Sequence, residues 1–368
     1  MMERAKEWKK FIALALGFLI FYFLPFEHEA VRNAILQGVT LLGSYAREHV
    51  LLCLIPAFFI AGTITVFIRG DVILRLLGPG AKKIISYPIA AVSGAILAVC
   101  SCTILPLFGG IYKRGAGIGP GIAFLFTGPA INITALFLTG SVLGWEISFM
   151  RLAATVISGI LIGLIMQAIF RDKGSGGFAQ TEEKNVPWWL GVSFLGLQMA
   201  FLIIGGLKID GTIKTILLVV LAGAVLILTF RMPRESTTSW IGESWSFAKK
   251  ILPYLFIGVF IAGILSSSLP EQVVKTLVGG NSLFSNLFAS VFGMVMYFAT
   301  LTEVPIVQSL MGLGMGKGPA LALFMAGNSL SLPSMIVLTK LLGKKKAFTY
   351  FALVALFSMS WGFIYGNL

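Results

Sequence analysis

Two cysteines in an apolar stretch of this sequence are candidates for metal binding or thiol chemistry. Cys100 and Cys102 lie in the segment CSCTILP, which ends at Pro106. In a regular helix their side chains point in nearly opposite directions, but in an unwound turn both sulfurs could face one cavity. Sulfur ligands prefer soft acceptors such as Cu(I), Zn or a trivalent metalloid. The pair predicts a soft-metal site; the alternative is that both are buried free cysteines, which behave as small hydrophobes.

Glu303 is the one acidic residue that lies inside an apolar run of membrane-spanning length. An acid at the centre of a membrane helix costs about 2.5–3.5 kcal/mol to insert and by default marks function. Burial favours the neutral acid, so Glu303 is a candidate proton carrier as well as a metal ligand. The alternative is a structural acid, hydrogen-bonded between helices. Neutral polar residues that could complete a substrate site are Thr103, Asn132, Thr302, Asn328 and Ser331.

Prolines and glycines near these residues predict breaks in the helices. Pro106 and Pro305 have no amide hydrogen for the carbonyls of Cys102 and Leu301. Non-helical backbone at membrane depth is tolerated only where protein or a water-filled cavity surrounds it. We therefore expect the breaks to line a central site. The helix-breaking residues are Pro106, Gly128, Pro129, Pro305, Gly327 and Pro333.

Composition places all of these residues in a membrane protein. Only 12% of the 368 residues are charged, 57% are apolar and the mean hydropathy is +0.93, whereas a soluble domain carries about 25% charged residues. We predict an all-α polytopic integral membrane protein in contact with the lipid bilayer. The net charge of +13 lies in short loops, as the positive-inside rule requires, and does not predict a nucleic-acid partner.

Several enzyme classes are excluded by the sequence. The two histidines, His28 and His49, both lie in the first predicted loop, so the membrane segments hold no histidine for a zinc protease or a nucleophile–histidine pair. No glycine-rich phosphate loop is present, so this chain does not itself hydrolyse ATP. We expect no cofactor and no enzymatic activity.

An internal repeat organises the chain. A constant offset of 199 residues aligns Thr103 with Thr302, Pro106 with Pro305 and Gly128 with Gly327. Loop charges indicate that the two copies have opposite orientations. Residues 69–83 carry a net charge of +3 while the equivalent loop 269–282 carries none, and 141–151 carries none while 340–346 carries +4. An inverted repeat is common in secondary transporters.

This orientation requires an odd number of crossings in the middle of each copy. We predict that 84–112 crosses once as a broken helix and that 116–140 is a re-entrant hairpin, with 283–312 and 316–339 as their inverted equivalents. The arrangement has about nine full spans and two hairpins, with the amino terminus in the cytoplasm. Lys113 and Arg114 are the misfit, because they are then outside.

Four regions follow from this organisation. Residues 1–49 form a first transmembrane helix and an interfacial segment, and 50–170 form the first repeat. Residues 171–249 comprise a polar loop, two connecting transmembrane helices and a second loop, and 250–368 form the second repeat.

The segment from Cys100 to Asn132, CSCTILPLFGGIYKRGAGIGPGIAFLFTGPAIN, resembles the predicted-permease family that includes bacterial organoarsenical (methylarsenite) efflux permeases. The resemblance extends to TLTEVPIVQSLMGLGMGKGPALALFMAGNSLSLPS, from Thr300 to Ser334, and covers most of residues 50–366. It implies a multi-pass permease of a prokaryotic cytoplasmic membrane. In some members such a permease exports trivalent methylated arsenicals, and cysteines of the first motif are plausible metalloid contacts.

The function expected from these observations is outward transport of a soft metal or metalloid, with proton coupling through Glu303. One alternative is transport of a small organic or thiol-containing solute. A second is the membrane subunit of a multi-component complex, or a homo-oligomer, with 171–187 and 231–249 as docking surfaces. A third, a membrane thiol oxidoreductase, would need exposed reactive thiols, and no cation adjoins Cys100 or Cys102 in the sequence.

Overall fold

A computed structural model shows how these segments are arranged. The structure describes residues 28–47, 50, 54–67, 75–78, 80–96, 103–131, 133–170, 187–206, 211–268, 276–298 and 303–368. Over these ranges the chain is helical and contains no strand beyond one isolated backbone bridge. The all-helical class predicted from composition is confirmed.

Fifteen helices lie in the part of the chain that the structure describes. They are α1 (Glu29–Tyr45), α2 (Ile55–Phe67), α3 (Lys83–Ile96), α4 (Ile104–Lys113), α5 (Ile118–Ala130), α6 (Ile133–Leu143), α7 (Trp145–Ile169), α8 (Trp188–Gly206), α9 (Gly211–Arg231), α10 (Arg234–Ser268), α11 (Leu283–Val295), α12 (Glu303–Gly312), α13 (Lys317–Ser329), α14 (Leu332–Leu342) and α15 (Lys344–Gly366).

Four of the described helices, α7, α9, α10 and α15, are long and apolar enough to cross a membrane. The number rises to six if α5 with α6 and α13 with α14 each count as one bent span. The two bends measure 47° and 50°. The nine-span count stays a prediction, because several of its spans include residues outside the described ranges.

The helix bounds recur at the offset found in the sequence. Adding 199 to the bounds of α4 gives those of α12, and the same shift converts α5 into α13 and α6 into α14. The short turns repeat as well: Gly144 and Gly343, which precede α7 and α15, have φ of +108° and +82°. Only glycine adopts such a conformation at no steric cost, so both long helices begin at the same kind of turn.

A close glycine crossing also occurs once in each half. A Cβ placed on Gly163 of α7 would lie 2.6 Å from the carbonyl oxygen of Gly119 on α5, and one placed on Gly318 of α13 would lie 2.5 Å from that of Gly362 on α15. Small residues let membrane helices approach closely. The pairs are equivalent at the offset of 199, so the two halves pack their helices in the same way.

The structure corrects which segment of each half returns to the side from which it started. The amide of Gly117 donates to the carbonyl of Leu77 at 2.7 Å, and the amide of Gly316 donates to that of Val278 at 3.3 Å. The ends of α3–α4 therefore meet, as do those of α11–α12. These helix pairs, in the segments 84–112 and 283–312 that we expected to cross once, are the hairpins.

The segment from α5 to α6 instead runs the full length of the long helix α7. Its start at Gly119 lies beside Gly163, its middle at Ala130 accepts a hydrogen bond from Arg151, and the Leu136 carbonyl farther on accepts one from Ser148. The predicted hairpin at 116–140 is therefore wrong, and so is its equivalent at 316–339, where the bend between α13 and α14 is 50°. A bend of this size redirects a helix without reversing it.

Because α3 and α4 form a hairpin, Lys113 and Arg114 lie on the side of the molecule where the hairpin begins, and not on the opposite side as we predicted. The residue before them, Tyr112, accepts a hydrogen bond from Lys346 at 3.4 Å, and Lys113 forms an ion pair with Glu243 in the first third of α10. We call the side formed by residues 75–78, 80–83, 112–114 and 344–346 the basic face. The expectation that Lys113 and Arg114 lie opposite the basic loops is wrong, since the hairpin returns them there.

Helices of the two halves exchange contacts in the centre of the molecule. Helix α12 packs on α6, α4 packs on α14, and α13 packs on both α5 and α7. The long helix α10 lies against α1, α2 and α14. The buried core therefore includes the starts of α4 and α12, where the sequence placed its candidate residues.

Candidate functional site

Glu303 lies at the centre of the interface between the halves. It is the first residue of α12, and its side chain is 0% exposed. The side-chain amide of Asn328 on α13 donates to its Oε2 at 2.7 Å. Arg151 Nη2 on α7 contacts the same oxygen at 3.4 Å. Two helices of its own half and one helix of the other half thus meet at this carboxylate.

Arg151 is the main residue that sequence reasoning missed. We counted it in the loop 141–151, whereas it lies on α7 and is 0% exposed. An arginine at the edge of an apolar run is typical of a loop flank, and that pattern misled the prediction. The available signal was Gly144, a plausible helix start that would place Arg151 two turns inside the following helix.

The guanidinium of Arg151 is held from three further directions. Its Nε donates to the Ala130 carbonyl at 3.1 Å, and its Nη1 donates to Thr139 Oγ1 at 3.0 Å. The ring of Phe324 lies 4.6 Å from its central carbon. Ala130 is the last residue of α5, where carbonyls lack helical partners. Arg151 therefore caps the break between α5 and α6 and supplies a fixed positive charge to Glu303.

The ion pair leaves one acceptor free. Glu303 Oε1 is buried and has no hydrogen-bond partner among the residues that the structure describes. A buried acceptor without a partner is rare in proteins. Because arginine does not lose its proton in proteins, the group at this site that can change its charge is the carboxyl of Glu303. The arrangement can accept a proton or a hydrogen bond from a solute.

Four predicted substrate ligands lie outside the described residues: Cys100, Cys102, Asn132 and Thr302. In the chain, Thr302 directly precedes Glu303, and Cys102 directly precedes Thr103. Thr103 is buried directly before the start of α4. The predicted metal ligands stay a prediction; within the described ranges no three His, Cys, Asp or Glu side chains are grouped for a metal ion.

The prolines predicted to break the helices lie at helix ends. Pro106 and Pro305 are each the third residue of α4 and α12, where a missing amide costs no helical hydrogen bond. The carbonyls of Cys102 and Leu301, which we expected to be freed, lie outside the described residues. In both cases the helix starts two residues before the proline.

The residues of the second predicted set of breaks lie near helix ends. Gly128 and Pro129 are buried in the last turn of α5. Gly327 lies in the last turn of α13, where an added Cβ would be 3.3 Å from the carbonyl oxygen of Gly293 on α11. Ser331 and Pro333 start α14, where Ser331 and Ser334 form reciprocal cap hydrogen bonds. The Ser331 hydroxyl is thus engaged by the helix end, which makes it a weaker candidate ligand than Asn328.

Comparison with known proteins identifies the family. The family model ArsP_1, described as a predicted permease, matches residues 35–367. The chain belongs to this family. A UPF0718 protein of Methanocaldococcus jannaschii is 42% identical to this permease over an alignment of 353 residues that covers 91% of this chain and 97% of that protein. The UPF0718 protein YraQ of Escherichia coli is 25% identical over 296 residues, 79% of this chain and 70% of YraQ.

A further relative of this permease bears a more specific name. A protein of Streptococcus mutans, provisionally named a two-component membrane permease complex subunit, is 28% identical over 136 residues, 36% of this chain and 44% of that protein. No solved structure matches the permease significantly. Family membership points to a transporter rather than an enzyme.

Proposed function

We propose that this permease exports a soft metalloid across a prokaryotic cytoplasmic membrane, through a site between its two halves. The observation that carries the proposal is the buried contact between Arg151 and Glu303, which joins the two halves. In the sequence, Cys102 stands two residues before Ile104, the position equivalent to Glu303 at the offset of 199. Buried ionisable residues in membrane segments by default mark a transport pathway. Asn328 donates a hydrogen bond to Glu303, and Thr302 directly precedes Glu303 in the chain.

We infer that the two halves are inverted, as in many secondary transporters. Two contacts support this. Tyr112, at the hairpin end of the first half, contacts Lys346 at the start of α15. Lys317, at the hairpin end of the second half, lies 3.9 Å from Glu146 at the start of α7. Each hairpin end thus adjoins the start of the long helix of the other half, as an antiparallel pair of repeats requires.

The basic face then marks the cytoplasm. It carries Arg75, Lys82 and Lys83 from one half, Lys344, Lys345 and Lys346 from the other, and also Lys113 and Arg114. Short basic loops are retained on the cytoplasmic side. With the corrected hairpins the one misfit of the sequence-based topology disappears. This orientation agrees with an amino terminus in the cytoplasm.

The charges at the site favour a neutral substrate over a free metal cation. Arg151 offsets the charge of Glu303, and a guanidinium at 3.4 Å from the carboxylate repels a dication that approaches it. A trivalent methylated arsenical in its neutral dihydroxide form has no such penalty. Cys100 and Cys102 would each replace one hydroxide on arsenic, forming two As–S bonds as two water molecules leave, and Glu303 would accept or return the proton that couples transport.

Uptake into everted membrane vesicles tests the proposal, because export from the cell becomes uptake in this preparation. We expect accumulation of trivalent methylarsenite and none of copper or zinc. The Cys100→Ser/Cys102→Ser variant should lose the accumulation of methylarsenite. The Cys53→Ser variant, which changes a cysteine outside this motif, should keep it. Glu303→Gln should bind methylarsenite without accumulating it against a gradient. Accumulation that survives loss of both cysteines would refute the thiol site.

A second candidate function is that of a membrane subunit in a two-component complex. The name of the Streptococcus mutans relative favours it, and so does α9, on which no residue is buried within this chain. Purified chain in proteoliposomes separates the two functions. Transport by the chain alone supports a self-sufficient permease. Inactive proteoliposomes together with active vesicles from the native host would support the subunit.

A further inference from the structure

A row of buried hydroxyl groups leads away from the ion pair along α7. Thr155 and Ser158 follow Arg151 at spacings of four and seven residues, so the three side chains share one face of the helix. All three residues are 0% exposed. Neither Thr155 Oγ1 nor Ser158 Oγ has a hydrogen-bond partner in the described part of the chain. The row begins beside Arg151, but within the described residues neither Thr155 nor Ser158 forms a side-chain hydrogen bond with the Arg151–Glu303 pair.

A second row lies on the equivalent helix of the other half. Tyr350 and Ser358 on α15 are also 0% exposed, and their hydroxyl oxygens have no partner over the same described ranges. Tyr350 is the residue equivalent to Arg151 at the offset of 199. Helices α7 and α15 pack against each other. The unpartnered hydroxyls of both halves and Glu303 Oε1 are thus associated with the interface between the halves.

Several other buried hydroxyls do have partners. Thr127, Thr139 and Ser290 each donate to the carbonyl four residues earlier, at 2.7–2.9 Å. Buried polar groups that lack a protein partner are generally satisfied by ordered water, and a buried water makes about three hydrogen bonds. Four unpartnered hydroxyls on two packed helices, together with Glu303 Oε1, therefore point to bound water rather than to isolated defects.

The positions of the two rows along their helices indicate the path that this water would follow. Helix α7 continues from Ser158 to Gly163, which contacts Gly119 near the hairpin end at Gly117. Tyr350 lies six residues, or about 9 Å, beyond the start of α15 at Lys344. Both rows thus extend from the level of Glu303 toward the basic face. In the described part of the chain, Arg151 is the one charged side chain that contacts Glu303.

We propose that a chain of water molecules held by Thr155, Ser158, Ser358 and Tyr350 carries protons between Glu303 and the basic face. The inference rests on the proposed function, because it assigns a route to the proton that couples transport. The four hydroxyls are positioning residues for water and do not bind the metalloid. Replacing these hydroxyls should therefore reduce transport that is driven by a proton gradient more than it reduces substrate exchange at equal pH.

Two transport modes of the Thr155→Val/Ser158→Ala variant test the route. Accumulation of methylarsenite driven by a pH gradient should fall about tenfold, the effect expected from losing one hydrogen bond. Exchange of external for internal methylarsenite at equal pH, which needs no net proton movement, should stay within about twofold of wild type. The matched control is Thr349→Val/Ser360→Ala, since these α15 hydroxyls bond only their own helix.

Equal loss of exchange and of gradient-driven accumulation would overturn the proposal, as would equal loss in the control variant. A second measurement does not depend on transport. Radiolysis of bound water oxidises adjacent side chains, so Tyr350 should be labelled in the wild-type protein and labelled less in Thr155→Val/Ser158→Ala. Tyr87, whose hydroxyl contacts Gln167 at 2.5 Å, is the reference. No labelling of Tyr350 would refute the water chain even if methylarsenite is not the substrate.

Discussion

Replacing Glu303 by glutamine should show how much the ion pair between Arg151 and Glu303 contributes to the free energy of unfolding. The substitution keeps the shape of the side chain and removes its charge, which leaves the guanidinium of Arg151 buried without a counter-ion. Removing one member of a buried ion pair destabilises a protein by about 3–5 kcal/mol. We expect a loss of that size for Glu303→Gln, because arginine cannot relieve the cost by losing its proton.

The geometry also predicts how the two positions couple. Arg151→Met loses the contact with Glu303 and, in addition, two neutral hydrogen bonds to Ala130 and Thr139. In the Glu303→Gln background the same change removes a charge that is already unpaired. The double variant should therefore be more stable than the sum of the two single losses predicts, by about 2–3 kcal/mol.

The free energies of unfolding can be measured by denaturant titration in mixed micelles for wild type, both single variants and the double variant. The exposed pair Lys317–Glu146, with side chains 64% and 67% exposed and charged atoms 3.9 Å apart, is the internal control. Solvent screens such a pair, so its coupling should stay below about 1 kcal/mol. Additivity of Arg151→Met and Glu303→Gln within about 0.5 kcal/mol would refute the view that their contact binds the halves together.

Two further predictions concern packing and topology. Gly163→Ala places a Cβ 2.6 Å from a carbonyl oxygen of α5, so it should lower the free energy of unfolding by about 1–3 kcal/mol, whereas Gly196→Ala, with nothing within 4 Å, should be neutral in the same denaturant titration. Cysteines introduced at Lys113 and Lys346 should react with an impermeant maleimide from one side of the membrane, and a cysteine at Glu146 from the other. Labelling of all three from one side would contradict the inverted arrangement.

Much of the fold follows from features that are local in sequence. A low share of charged residues is enough to place the chain in a membrane, because loops must carry the charge that lipid excludes. The duplication is visible because proline and glycine recur at one offset, and the helix ends at Ala130 and Ser329 lie where those residues predict them. Backbone geometry at such positions depends on the residue itself, so it can be predicted before any packing is known.

Sequence reasoning also found Glu303 and Asn328, since a lone acid in an apolar run and a polar residue at a predicted break are each unusual in isolation. It did not find Arg151, because an arginine near the end of an apolar run has the same local pattern whether it lies in a loop or in a helix core. Its role depends on Glu303, which is 152 residues away in the chain.

The tertiary structure alone decided which segment of each half turns back. Both arrangements satisfy the odd number of crossings, and the misfit of Lys113 and Arg114 was the one sign in the loop charges against the arrangement that we predicted. The hydrogen bond from Gly117 to Leu77 and the path of α5–α6 along α7 separate them directly. By itself, the sequence determined the class of the protein, its repeat and its candidate acid. The partner of that acid and the direction of each segment depend on contacts between distant residues, which only packing brings together.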